Sequence, residues 1–320
     1  PLGLGKPVQV MNAFFRRALK DPEINLHIYT ALSLELPSPG SHIEANLAGP
    51  IVERLFGDYE ELDYMKALRA GPLPANIQVT ELYFKAGAMK GLASAQQNYI
   101  SSNYTHIARD LCDRGINVLV QMVAVRDTEE GVRISLSGNP DTGLDVTNRL
   151  VEERPESFFN IAQAHSDMPF MENDAEVPDS FFDLLVRNPE YDKTLFAVPN
   201  AAVPLKDYAT AMHASSLIVD GGTLQIGIGS LGDAVAHACI VRHEHSEQYK
   251  EILAGLSNQP SELAADGQAF SKGLYVSTEM FVNGMRHLME KGVVKRRVFD
   301  HLDLQLGINS GVITASLDEE

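Results

Sequence analysis

Apolar runs closed by turn residues alternate with stretches of helical periodicity from one end of the chain to the other. That alternation is the pattern of an α/β fold, in which strands bury one or both faces and helices bury a stripe. Apolar positions at helical spacing predict helices over 8–19, 45–56, 104–114, 209–215 and 232–241. A long polar helical stretch is expected over 244–256, and a further helix from about 279 to 290. Short apolar or β-branched runs predict strands over 25–31, 76–84, 117–125, 158–164, 194–198, 223–228 and 273–276. A hairpin is expected where 132–137 follows the Glu130-Gly131 turn.

The stretch 174–204 is rich in Pro, Asp and Asn and carries little periodicity, which makes it the expected domain boundary. It divides the chain into one domain over 1–200 and the start of another over 201–320. No short-period repeat or low-complexity tract is evident.

Composition then narrows the class. At 320 residues there is room for two α/β domains or one large one. A net charge of −17 argues against a nucleic-acid partner, because so acidic a surface repels a phosphate backbone. The basic run Lys295-Arg296-Arg297 reads as a solvated edge. An anionic ligand must therefore be held by local amides and cations. Cys112 and Cys239 lie in apolar surroundings without CxxC spacing, so they read as buried free thiols suited to a reducing compartment. A cytoplasmic location is expected. The sequence contains no signal peptide and no apolar run of about 18 residues, so no membrane span is expected. The chain opens on Pro1 and closes on Leu317-Asp318-Glu319-Glu320, as expected for a piece of a longer polypeptide.

Three segments are candidates for chemistry. The opening PLGLGKP sets Gly3, Gly5, Lys6 and Pro7 just before a helix, where glycines allow tight turning and free amides suit an anion. A P-loop reading fails there, since no upstream glycine or following hydroxyl is present. Taken alone the segment is also what a plain helix start looks like. The second segment, DGGTLQIGIGSLGDAV over 220–235, runs from a strand through a glycine-rich turn into a helix. Its Gly227-x-Gly229-x-x-Gly232 spacing matches the dinucleotide fingerprint. A dinucleotide site also wants an acidic residue about 20 residues on, at the end of the next strand. Here that stretch is the polar, helical RHEHSE. Unpaired amides at such a turn suit a developing oxyanion as well as a phosphate, and a tight turn without a ligand fits too. The third segment, GLYVSTEMFVNGM over 273–285, ends a strand in Ser277-Thr278, which can cap a helix carrying Glu279 in its first turn. The helix dipole would keep Glu279 ionised there, and covalent acyl transfer needs an ionised carboxylate. Locally, the same residues describe a well-capped helix and nothing more. His237, His243, Glu244 and His245 invite a metal reading, but neighbours one and two apart on a helix point in different directions, which favours a solvated face. No G-x-S-x-G elbow is present to support a serine hydrolase.

The second and third segments together resemble the acetyl-CoA hydrolase/transferase family, relatives of 4-hydroxybutyrate CoA-transferase. That family carries a strand–turn–helix close to DGxTLQxGIGxxxDAV, followed by a strand ending in [ST]-E-[MV] whose glutamate is the nucleophile. This chain has DGGTLQIGIGSLGDAV and VSTEM in that order. The opening GLGKP, RDLCDRGINVLVQMVA and AHSDMPFM are similar to parts of the family's first domain. The resemblance implies two CoA-transferase-like (NagB/RpiA-like) open-sheet α/β domains, the second incomplete. It implies Glu279 as nucleophile, backbone oxyanion donors at Ser230 and Leu231, and substrate contacts at Gly3, Gly5, Lys6, Gly227 and Gly229. Coenzyme A would serve as substrate, with a carboxylate acceptor or water. No tightly bound cofactor or metal is implied, and family members commonly self-associate. Two departures stand out: the gap from Gly229 to Glu279 is wider than in shorter members, and the family's downstream glycine-rich segment is absent from this sequence. Two other readings stay open, a non-catalytic acyl-CoA-binding protein of the same fold and an NAD(P)-binding oxidoreductase built on Gly227, Gly229 and Gly232.

Overall fold

The computed structural model describes residues 5–37, 40–138, 140–195, 202–256, 264–278, 281–299 and 301–313. It resolves into two compact units, Pro1–Val198 and Pro199–Glu320.

The first unit runs α1 (Val8–Lys20), β1 (Leu26–Thr30), α2 (His42–Phe56), α3 (Asp63–Ala70), β2 (Ile77–Glu81), α4 (Ala93–Gln97), α5 (Ile107–Asp113), β3 (Val118–Thr128), β4 (Gly131–Ser135), α6 (Pro140–Glu153), β5 (Phe159–Ala164), β6 (Glu176–Val177) and β7 (Leu184–Val186). Strands β1 and β2 pair in parallel, Leu26 against Ile77 through Thr30 against Glu81. A second sheet has the order β6-β4-β3-β5-β7. Its β3, β5 and β7 are parallel, while β4 folds back on β3 from Thr128 opposite Gly131. Helix α1 serves both sheets. Its Val8, Met11, Phe15 and Ala18, at helical spacing, pack with Ile28, Ile77 and Val79. On another face, Val10 meets Val120 and Ile161. Each large apolar side chain so buried contributes roughly 1.5–3 kcal/mol, enough to fix the helix across the strand ends that follow it.

The second unit runs α7 (Leu205–Ser216), β8 (Thr223–Gln225), α8 (Ser230–Glu244), α9 (Ser246–Leu256), β9 (Tyr275–Ser277), α10 (Asn283–Glu290) and α11 (Leu302–Asn309). Strands β8 and β9 are parallel, Thr223 against Tyr275 through Gln225 against Ser277. Their core joins Ile226, Ala236, Cys239, Phe270, Leu274, Met285 and Leu288.

The architecture is mixed α/β, as the alternating pattern requires, with one mixed sheet of five strands. The hairpin after Glu130-Gly131 forms as expected. Within 174–204, the expected domain boundary, β6 and β7 complete the edges of the five-stranded sheet, two strands that the sequence pattern does not predict. They are two and three residues long, too short to show a period. Of the strand expected over 194–198, Thr194 and Leu195 have no regular structure and the rest lies outside the described residues. The last expected helix begins at Asn283 with Val282 as its N-cap residue. Ser277 is strand rather than cap, and Glu279 lies outside the described residues. Cys112 and Cys239 are both free and buried, and burial pushes the Cys239 thiol up to about 12. Among the described residues, no helix is long and apolar enough to cross a membrane.

Candidate functional site

In the second unit the site is assembled where two parallel strands end side by side. Strand β8 passes through Ile226, which is buried, into the exposed turn Gly227-Ile228-Gly229 and then directly into α8. Gly229 has φ +124°, a backbone conformation that side chains other than hydrogen rarely tolerate. A Cβ on Gly232 would lie 2.2 Å from the Gly227 carbonyl oxygen, so the turn closes onto the first helical turn only because that atom is missing. The fingerprint spacing is thus accounted for by close packing of the turn against the helix.

The first intrahelical bond of α8 runs from the Asp233 amide to the Gly229 carbonyl, 3.1 Å. The amides of Ser230 and Leu231 precede it and have no intrahelical acceptor. They carry the positive end of the helix dipole. The Ser230 hydroxyl is already engaged, donating to the Asp207 carboxylate at 2.6 Å. Asp207 lies in the first turn of α7, and nothing in its sequence context marks it as a neighbour of this turn. The stretch where a dinucleotide site would want its acidic residue belongs to α8 and α9, and the next strand is β9. Among the described residues, no acidic side chain stands at the end of that next strand to complete the dinucleotide fingerprint.

Strand β9 ends at Ser277 beside Gln225. The next residue, Thr278, donates its hydroxyl to the Ile226 carbonyl at 3.1 Å. Glu279 follows and lies outside the described residues. At the other end of the strand, Asp220, the first residue of the glycine-rich segment, accepts from the Ser271 amide and hydroxyl and from the Lys272 and Gly273 amides. Burial alone would raise its pKa, but these hydrogen bonds outweigh it and hold the carboxyl below the usual range. The histidines near the end of α8 do other work: the His243 ring accepts from the Phe270 amide, 3.1 Å, and Glu244 pairs with Lys291, 2.9 Å.

The first unit contributes a separate cluster at the carboxyl ends of its parallel strands. Pro7 precedes α1 as its N-cap residue, rather than starting it. Lys6 before it is almost fully buried. Its ammonium donates to the Ala31 carbonyl and, at 3.0 Å, to that of Leu32, just beyond β1. Glu81 ends β2 and is also buried. Among the described residues, neither of its carboxylate oxygens has a hydrogen-bond partner of good geometry, and Ser33 and the Lys6 charge are its stabilising neighbours. Burial dominates for both groups. It pushes the Lys6 amine down to about 8 against the opposing pull of Glu81, and it raises the Glu81 carboxyl above the ordinary range. A cavity of about 20 Å³, lined by Lys6, Gln9, Met122, His165 and Lys193 among others, adjoins this cluster. That volume accommodates about one water molecule. His165, at the end of β5, donates from Nε2 to the Lys193 carbonyl, 2.8 Å, and accepts the Asp167 amide at Nδ1, 3.1 Å. Carboxyl ends of parallel strands are where ligands bind in open α/β sheets. Gly5 flanks the cluster, and Gly3 lies outside the described residues. Sequence reasoning singled out Lys6 but not Glu81, whose acidic residue at a strand end carried no distinguishing signal.

No family model matches the sequence. Among curated proteins, the succinyl-CoA:acetate/propanoyl-CoA:succinate CoA transferase of Fasciola hepatica is 25% identical over 241 residues, covering 73% of this chain and 46% of that enzyme. Among solved structures, RipA of Yersinia pestis superposes with a TM-score of 0.58 at 18% identity, over 92% of this chain and 55% of RipA. A 4-hydroxybutyrate CoA-transferase from Porphyromonas gingivalis covers 88% of this chain at 18% identity with a TM-score of 0.44. The chain spans about half the length of the proteins it matches. The likeness to RipA is one of fold. The sequence match supports, at a coarse level, a relationship to CoA-transferases.

Proposed function

We propose that this chain forms the nucleophile-bearing part of a CoA-transferase or acyl-CoA hydrolase acting on acetyl-CoA or another short acyl-CoA, with Glu279 as the covalent carboxylate. The observation that supports it most is the parallel register of β8 and β9. Gln225 opposite Ser277 and the Thr278–Ile226 hydrogen bond bring the glycine-rich turn and the segment entering Glu279 to one edge of the unit. The similarity to a curated CoA transferase points the same way.

In this reading a Glu279 carboxylate oxygen attacks the thioester carbonyl carbon. The oxyanion of the tetrahedral intermediate accepts from the Ser230 and Leu231 amides, and the C–S bond breaks to release CoA thiolate and leave a mixed anhydride. The thiolate then attacks the glutamyl carbonyl of that anhydride. The acyl group departs as a free carboxylate, and a glutamyl-CoA thioester remains. An acceptor carboxylate takes CoA by the reverse sequence. Alternatively, water cleaves the thioester, releasing CoA thiol and regenerating Glu279. Gly227 and Gly229 shape the turn that presents the amides, while Gly3, Gly5 and Lys6 are proposed substrate contacts. Removing one oxyanion donor typically lowers the rate on the order of 100- to 1000-fold; removing the nucleophile does more damage.

The test uses the complete natural polypeptide incubated with acetyl-CoA, followed by intact-mass measurement and peptide mapping. Mass is expected on the peptide holding Glu279, and borohydride is expected to trap it there. Glu279→Gln should reduce turnover by roughly 10⁴-fold or more. Substantial activity in Glu279→Gln, or an adduct on another residue, rules the reading out. Tight acyl-CoA binding with no adduct and no turnover would instead identify a binding protein.

A further inference from the structure

We infer that Thr278 and Asp220 are positioning residues for Glu279, clamping the two ends of the strand that delivers it. This rests on the covalent role proposed for Glu279. Strand β9 is three residues long, and parallel pairing over so short a run supplies few hydrogen bonds to hold its register. Covalent catalysis by a carboxylate at its end nevertheless demands positional accuracy, because a displacement of about 1 Å can slow a reaction 100-fold. The structure compensates at both ends of the segment.

At the entrance, Asp220 acts through four donors from one short stretch. Oδ2 accepts from the Ser271 amide at 3.1 Å, the Ser271 hydroxyl at 2.8 Å and the Lys272 amide at 2.9 Å. Oδ1 accepts from the Gly273 amide at 2.9 Å. Backbone bonds from Gly221 to the Gly273 carbonyl and from Tyr275 to the Gly222 carbonyl, both 3.1 Å, extend the same anchorage. The paths into β8 and β9 are thereby tied to each other before either strand begins. A residue that merely favoured a turn at Asp-Gly-Gly would not need donors from so far along the chain.

At the exit, the Thr278 hydroxyl donates to the Ile226 carbonyl. The tether joins the residue immediately before Glu279 to the residue immediately before Gly227, so the approach to the nucleophile is fixed against the approach to the candidate oxyanion turn. Beyond Glu279, α10 seats closely on α8. A Cβ on Gly284 would lie 3.0 Å from that of Ala236, and Met285 and Leu288 are buried. The described chain is thus anchored at Thr278 and again at α10.

The experiment compares Thr278→Val, Thr278→Ser and Asp220→Asn in the complete polypeptide, reading single-turnover formation of the Glu279 adduct together with kcat, KM and the thermal midpoint. Thr278→Val is expected to slow adduct formation on the order of 10- to 100-fold, lowering kcat with little change in KM or thermal midpoint. Thr278→Ser keeps the hydroxyl and should recover most of the rate. Asp220→Asn is expected to lower both the rate and the midpoint. Adduct formation in Thr278→Val at the wild-type rate overturns the inference while leaving the role of Glu279 intact, and so does equal slowing in the Val and Ser variants. If the wild-type protein forms no adduct at Glu279, the covalent reading falls and the positioning role falls with it.

Discussion

Lys6 and Glu81 occupy a part of the first unit from which water is largely excluded. A buried charge is tolerated only with a partner, and removing one member of such a pair typically destabilises by about 3–5 kcal/mol. Lys6→Met should therefore lower unfolding stability by about 3 kcal/mol, and adding Glu81→Gln should recover much of that loss, as read from urea unfolding of both variants. Burial also fixes the sign of a pH dependence. Glu81 has its folded pKa raised above the ordinary value of about 4.3. The folded state thus binds more protons just above that pH, and the contribution of Glu81 is full below it and lost as pH rises through the folded value. Lys6 is held down at about 8 against 10.5, so between those values the unfolded state binds more protons and stability climbs with pH. Unfolding curves for Glu81→Gln should lack the decline above about pH 4.3; an unchanged decline would assign it to another group. Part of this chemistry is legible in the sequence. A lysine after two spaced glycines before a helix attracts attention, whereas Glu81 gains its significance from Lys6, 75 positions away in the chain and brought close by the pairing of β1 with β2. Asp220 is the same case: its local sequence says turn, and its donors lie around Lys272.

The elements with the strongest periodicity were readable. Helix α1, the strands β1, β3 and β5, and the hairpin into β4 fall within a few residues of expectation. Helix α6 gave no such signal because its sequence PDTGLDVTNRLVEE begins with turn formers. Helix α11 carries no such signal either, because its 8-residue stretch is too short to establish a stripe. Edge strands β6 and β7 stayed hidden in a Pro- and Asp-rich segment for the reason given above. Sequence also does not reveal which strand edges remain open. Leu26 donates to Asn76, and Leu82 to the Thr30 carbonyl, so even-numbered residues of β1 face β2. Alternation then turns the amides of His27 and Tyr29 to the other side. On β3, Phe159 donates to Asn117 and His165 to Val123, so Leu119 and Gln121 bond β5 and the amides of Val118 and Val120 face away from it. The stretches holding both open edges, with Met11, Phe14 and Leu111, line a cavity of about 270 Å³. Residue-resolved hydrogen exchange should show the pattern. The Val118 and Val120 amides are expected to exchange roughly tenfold or more faster than those of Leu119 and Gln121. Uniform protection along β3 would mean that β1 and β3 pair directly in solution.

At the scale of the molecule, the cores decide what can fold alone. In the first unit, Phe15, Tyr64, Met65 and Ile77 anchor one cluster; Leu111, Leu119, Val146 and Leu150 form another; and Val123, Ile134, Leu136 and Phe182 form a third. These clusters cover the faces of both sheets from helices and strands within 1–198. Nearly 200 residues is a normal size for an autonomous domain, with surface burial sufficient for cooperative stability. A fragment comprising residues 1–195 is therefore expected to unfold in one cooperative urea transition. Far-UV circular dichroism is the fitting probe, since the chain contains no tryptophan. The slope is expected at about 2–3 kcal/mol/M, as for a domain exposing this much surface. A broad transition accompanied by dye binding to exposed apolar surface would show instead that the packing of these clusters depends on residues beyond 195, and that the fragment collapses without a fixed core. Retention of a sharp transition after Phe15→Ala, shifted to lower urea by the equivalent of about 3–5 kcal/mol, would further establish that α1 belongs to the same cooperative unit as the sheets it covers.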